Sequence, residues 1–171
     1  RFNILARELA SKPSLSINNA STDWAASKAA YRFFDNPKVT PELVLNPHYL
    51  STELRCESHE TILAIEDTTV LDFTSHRAMQ GLGLTGVREG GVEYQGLHVH
   101  TTLAVTEAGL PLGLLDVQTW ARKRQKFTGH AHVKIPIEEK ESIRWIKAAQ
   151  TAVARASKSK VIVVCDREGD I

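Results

Sequence analysis

The chain has 171 residues, 42% of them hydrophobic and 24% charged, with a formal net charge of +1. Such values suit a globular domain with one good core and a small appended subdomain, and they leave a nucleic-acid partner open because local patches matter more than totals. No apolar run approaches the roughly 20 residues of a membrane span, nothing resembles a signal peptide, and Cys56 and Cys165 form no CxxC pair, which argues against a zinc ribbon or redox motif and for a reducing, cytosolic setting.

Residues 1–60 read as mostly helical. Phe2, Ile4, Leu5 and Leu9 have helical spacing, and Lys12-Pro13-Ser14 ends that helix. Thr22 or Asp23 caps a second helix through Trp24 to Phe34, stopped by Asn36-Pro37. Thr40-Pro41-Glu42 starts a third, which carries Leu43, Val44 and Leu45 and meets Pro47. A further helix is expected from His48 to about Ser58.

From Thr61 the pattern changes to strands. The first runs from Thr61 to Ile65, and Val70-Leu71-Asp72-Phe73 pairs with it or continues after a turn. Residues 79–91 are rich in glycine, with Gly96 just beyond, and read as a loop. A second strand from Leu97 to Val105, a hairpin turn at Glu107-Ala108-Gly109 and a third strand from Pro111 to Trp120 follow. The basic run Arg122-Lys123-Arg124-Gln125-Lys126 is either a solvated loop or a phosphate-facing one.

A helix is expected from about Ile137 to Ala156, with Ile146, Ala149, Val153 and Ala156 as its apolar stripe. Glu138, Glu139 and Glu141 suit its positive end. The last strand, Val161 to Cys165, is apolar enough to be covered on both faces, with Cys165 a buried thiol. A crossover helix makes that strand parallel to the first. The expected fold is therefore α/β: a ribonuclease-H-like mixed sheet flanked by helices over 61–171, preceded by a small helical subdomain over 1–60.

Asp67 and Asp166 each follow an apolar run, so each is read as a carboxylate at a strand tip. A lone aspartate there is commonly a turn former or a helix cap. Two on neighbouring strands can hold a pair of divalent ions about 4 Å apart, the arrangement used for phosphodiester cleavage. Both readings stay open on the residues alone. His98 with His100, and His130 with His132, have a spacing that zinc can use, although buried or loop histidines are the plainer reading. Aromatic residues are too sparse to suggest a stacking platform.

Several segments, taken in order, resemble a known family. Ile65-Glu66-Asp67-Thr68-Thr69 and Val164-Cys165-Asp166-Arg167-Glu168-Gly169-Asp170-Ile171 look like the first and second aspartate motifs of DDE transposases, in the insertion-sequence group typified by transposon Tn-five. Ala30-Tyr31-Arg32-Phe33-Phe34-Asp35-Asn36-Pro37 is similar to that group's helical segment ahead of the core. Val99-His100-Thr101, Gly113-Leu114-Leu115 and Glu139-Lys140-Glu141-Ser142 with Trp145 follow in the family's order.

The resemblance implies that Asp67 and Asp166 are catalytic metal ligands for Mg2+, with Mn2+ as a substitute. The third ligand would be a glutamate on a later helix, so the chain is expected to be part of a longer protein and inactive alone. Glu168 and Asp170 lie too close to Asp166 to replace it. Arg32 and Arg1 match positions that touch transposon-end DNA, and Arg122, Lys123, Arg124 and Lys126 are candidate phosphate contacts. The implied parent is a bacterial, nucleoid-associated cut-and-paste enzyme. It would bind terminal inverted repeats and target DNA as a homodimer, away from any membrane. A nuclease of the same fold, and an inactive DNA-binding or inhibitory relic, are the alternatives.

Overall fold

The computed structural model of the protein describes residues 2–87, 89–122 and 136–169. The chain divides into two compact units, Arg1–Pro47 and His48–Ile171.

The first unit holds α1 (Phe2–Ser11), α2 (Ile17–Ala20), α3 (Trp24–Phe34) and the start of α4 (Pro41–Cys56). Each later helix begins at a side chain that satisfies an otherwise orphaned backbone N–H. Asp23 Oδ1 accepts from the Ala26 N–H at 2.7 Å, Ser16 Oγ from Asn19 at 3.4 Å, and Thr40 Oγ1 from Leu43 at 3.3 Å. Leu5, Ala20, Ser27 and Ala30 are buried, and the Phe2 ring stacks on Phe33 at 5.7 Å.

The sequence pattern predicts a break at Pro47; the structure instead runs one helix through it. Proline there deprives the Leu43 carbonyl of its donor. Tertiary bonds farther along hold the rest of α4. His48 Nε2 accepts from the Leu114 N–H at 2.9 Å, the Arg55 guanidinium donates to the Leu112 carbonyl at 2.5 Å, and Tyr49, Thr52 and Cys56 are buried.

The second unit is built on a five-stranded mixed sheet. Its strands are β1 (Thr61–Asp72), β2 (Gly83–Val87), β3 (Glu93–Thr106), β4 (Pro111–Trp120) and β5 (Lys160–Val164). β1 pairs antiparallel with β3 along one edge and parallel with β5 along the other. The far edge of β3 carries β4 and then β2. Helix α5 (Ile143–Arg155) makes the crossover from β4 to β5 that parallel pairing needs. The layout is α/β and compatible with a ribonuclease-H-like sheet.

Burial alternates along β1 and β3 with the pleat. Ile62, Ala64 and Ala104 face α5 and join Cys56, Leu112, Leu115, Ala152 and Ala156 in the core. β4 bulges twice against β3, between Thr102 and Leu103 and between Ala104 and Val105. Those bulges free the Leu112 carbonyl and the Leu114 N–H that α4 captures.

Four local expectations are corrected. β1 is one strand from Thr61 to Asp72, because all of it pairs with the longer β3. The glycine-rich stretch contains β2, and Gly96 lies inside β3. The helix before β5 starts at Ile143 after a 3-10 turn at Ile137–Glu139, so no acidic residue falls in its first turn, and its buried residues are Trp145, Ala148 and Ala152, with Val153 exposed. Small alanines let the helix axis approach the sheet closely, and the indole supplies the area. β5 is largely exposed and so is Cys165, because among the described residues β5 pairs only with β1 and one of its faces is bare.

Candidate active site and nucleic-acid interface

Asp67 lies within β1, opposite Thr101, rather than at a strand tip. Its carboxylate accepts from the Thr68 N–H at 2.8 Å and is exposed. Asp166 follows β5, is exposed, and opens a turn in which the Gly169 N–H donates to its carbonyl at 3.1 Å. The β1–β5 ladder ends at Ile65 against Val164. Asp67 and Asp166 each lie two residues beyond that last pair, Asp67 still within β1 and Asp166 past the end of β5. Paired strands lie about 4.8 Å apart, and a ladder carried that far would put the two carboxylates within reach of one cation or a pair.

Asp67 falls on the face away from α5, in step with the exposed Ile65. Glu66, the residue before Asp67, turns the other way and is buried. The donor set is therefore two hard oxygen ligands open to water, which fits Mg2+ or Mn2+; such ions keep several waters. Among the described residues no group of three or more His, Cys, Asp or Glu side chains is gathered to hold a metal.

Behind Asp67 sits a buried polar cluster. His100 Nδ1 lies 2.8 Å from Thr68 Oγ1, and its Nε2 lies 3.5 Å from Glu66 Oε2. The His100 ring meets the Trp145 indole edge-on at 4.5 Å. Sequence reasoning singled out Asp67 and left its two neighbours unassigned. The signal was available: in a strand, Glu66 and Thr68 must both point opposite to Asp67.

The second histidine of the strand is occupied elsewhere. The His98 ring stacks on Trp120 at 5.2 Å, and Arg144 lies 3.8 Å above that indole. Burial, then the nearby Arg122 charge, hold the His98 pKa below its ordinary 6.5. A depressed histidine pKa means the unfolded chain takes up the proton first. The stabilising contribution of neutral His98 is complete above pH 6.5 and is lost as pH falls through the lower folded value. Thermal melts from pH 8 to pH 5 should show the wild type losing more stability than His98→Phe below pH 6.5; parallel curves would contradict this. His130 and His132 lie outside the described residues.

Arg122 of the basic run donates from Nε to Glu141 Oε2 at 2.7 Å, with both side chains nearly half exposed. Glu141 Oε1 also accepts from the Trp120 indole N–H at 3.3 Å. A phosphate contact at Arg122 therefore competes with an internal carboxylate. Arg1, Lys123, Arg124 and Lys126 lie outside the described residues. Arg32 is exposed in the last turn of α3. The same helix exposes Trp24 by 76% and Tyr31 by 50%, with Lys28 between them. Aromatic and cationic groups are thus gathered on one helix, although aromatics are sparse in the chain as a whole.

The fold defines an α/β protein with a ribonuclease-H-compatible mixed sheet. Residues 1–39 match the family model for transposase DNA-binding. The match covers α1 to α3 and Arg32, and it supports a transposase with DNA as its partner. Among the described residues no helix is long and apolar enough to cross a membrane.

Proposed function

We propose that the chain is part of a DDE transposase of the Tn-five-like insertion-sequence group, with Asp67 and Asp166 as two of its metal ligands. The observation that supports the reading is that Asp67 lies on β1 and that Asp166 follows closely after β5, the strand paired parallel with it, both side chains being exposed. A bound Mg2+ or Mn2+ pair would supply activation of the attacking hydroxyl and stabilisation of the departing oxygen. The chain's own part is to carry Asp67 on β1 and Asp166 in the turn just past β5, the strand paired with it. A third carboxylate from outside these residues completes the site. The substrates are terminal inverted repeats and target DNA, bound by a homodimer in a bacterial, nucleoid-associated setting.

A strand-transfer assay on the full-length protein tests the reading. Mg2+-dependent joining of end DNA to a target supports it. Cleavage without joining would replace it with a nuclease of the same fold, and binding without cleavage with an inactive relic.

The N-terminal unit is the proposed DNA-binding part, with the exposed cations of α3 facing phosphates. Arg32→Ala should weaken binding about equally on all sequences and lower the slope of log K against log salt by about one. An unchanged slope in fluorescence anisotropy at several salt concentrations would remove Arg32 from the interface.

A further inference from the structure

The buried cluster behind β1 has more order than a core needs. Glu66 and Thr68 flank Asp67, both face α5, and both meet one residue of β3, His100, which is 1% exposed. Thr68 and His100 are direct partners in the β1–β3 register, so the ring closes over the backbone that carries Asp67. His100 rests edge-on against Trp145, itself buried at 8% exposure.

The same indole reaches the other carboxylate's support. At Gly169, in the turn that Asp166 opens, an added Cβ would overlap Cys165 Sγ and lie 3.4 Å from Trp145 Cε3. The turn therefore packs directly onto the indole and the neighbouring thiol. One side chain of α5 thus touches both the turn after Asp166 and His100, which in turn meets Thr68 beside Asp67.

We infer that His100 and Trp145 form a positioning brace that sets the spacing of Asp67 and Asp166. His100 holds the β1 residues on either side of Asp67, and Trp145 backs both that histidine and the turn after Asp166. The inference rests on reading the two aspartates as cation ligands. It makes Thr68, His100 and Trp145 positioning residues, since none of them faces the cation side of the sheet. Residues that orient metal ligands commonly change affinity as much as the ligands' own neighbours do, although they never touch the ion.

The test uses the 171-residue chain, Mn2+ alone as the probe, and electron paramagnetic resonance to read binding. Thr68→Val keeps the shape and removes the hydroxyl that meets His100. It should weaken Mn2+ about 10-fold with little change in melting temperature, and Thr68→Ser should restore binding. Trp145→Phe should weaken binding too, and in metal-free protein it should speed amide exchange at residues 66–68 and 166–169 together. Val153→Ala, on the exposed side of the same helix, should change neither.

If Asp67→Asn and Asp166→Asn abolish Mn2+ binding while Thr68→Val and Trp145→Phe bind like wild type, the brace is refuted and the metal reading stands. If the asparagine variants bind unchanged, the metal reading fails. Exchange then decides the brace by itself: joint loosening of both segments in Trp145→Phe supports it, and loosening confined to α5 or to one segment overturns it.

Discussion

Asp67→Asn and Asp166→Asn should each abolish Mn2+ binding by this chain without unfolding it. Asparagine keeps the shape and one oxygen but removes the charge. A cation shared between two carboxylates loses half of its counter-charge with either change, so the double variant should be hardly worse than either single one. Both side chains are exposed, so either change should leave stability within about 1 kcal/mol of wild type, the scale of exposed charge interactions.

Loss of binding together with a kept melting temperature is a combination that a structural role for the aspartates would not produce. If the proposed function holds, the same variants of the full-length protein should lose at least about 10²–10³-fold in strand transfer, the scale seen when a group that stabilises developing charge is removed. Full Mn2+ binding by either variant would end the proposal.

Gly96→Ala should destabilise the second unit by roughly 3 kcal/mol, at the upper end of overpacking costs. An alanine Cβ there would overlap the Leu71 carbonyl oxygen and lie 2.9 Å from its carbon and 3.3 Å from the Asp72 Cα. Those atoms belong to β1, which is held by β3 itself in the Asp72–Gly96 pair. Backbone in a ladder cannot move aside as the end of a long side chain can, so relief requires opening the pairing. Gly86 in the same hairpin supplies the control. Its added Cβ would meet only the Tyr94 ring, at 3.6 Å, an ordinary contact. Gly86→Ala should be neutral or slightly stabilising, because it narrows the unfolded ensemble. Urea midpoints that coincide for the two variants would refute this account of Gly96.

The contrast between these glycines shows why the glycine-rich stretch reads as a loop in one dimension. Composition records that side chains are small, and not whether small size serves a turn or a close approach between strands. Gly81, Gly90 and Gly91 do have positive φ and sit at turns. Gly96 serves contact with β1 instead. Pro47 carries a similar lesson. Local chemistry disfavours proline inside a helix, yet α4 continues because its later turns gain side-chain bonds to the bulged β4 strand and bury Tyr49, Thr52 and Cys56. The buried face of α5 runs through Trp145, Ala148 and Ala152, because the one large indole fixes which side of the helix meets the sheet and aliphatic spacing alone does not.

Apart from α2, β2 and the continuity of α4, the order of elements is legible in the chain alone, as are the crossover that makes β5 parallel to β1, the Asp23 cap and the two acidic motifs. These follow from periodicity and from side chains acting on their own backbone, which are local effects. The mid-strand place of Asp67, the β1–β5 register up to Ile65 and Val164, and the cluster of Glu66, Thr68, His100 and Trp145 behind β1 come from tertiary contacts. Strand register is a property of two segments far apart in the chain. Its energy lies in ladders and cross-strand packing that no single segment contains.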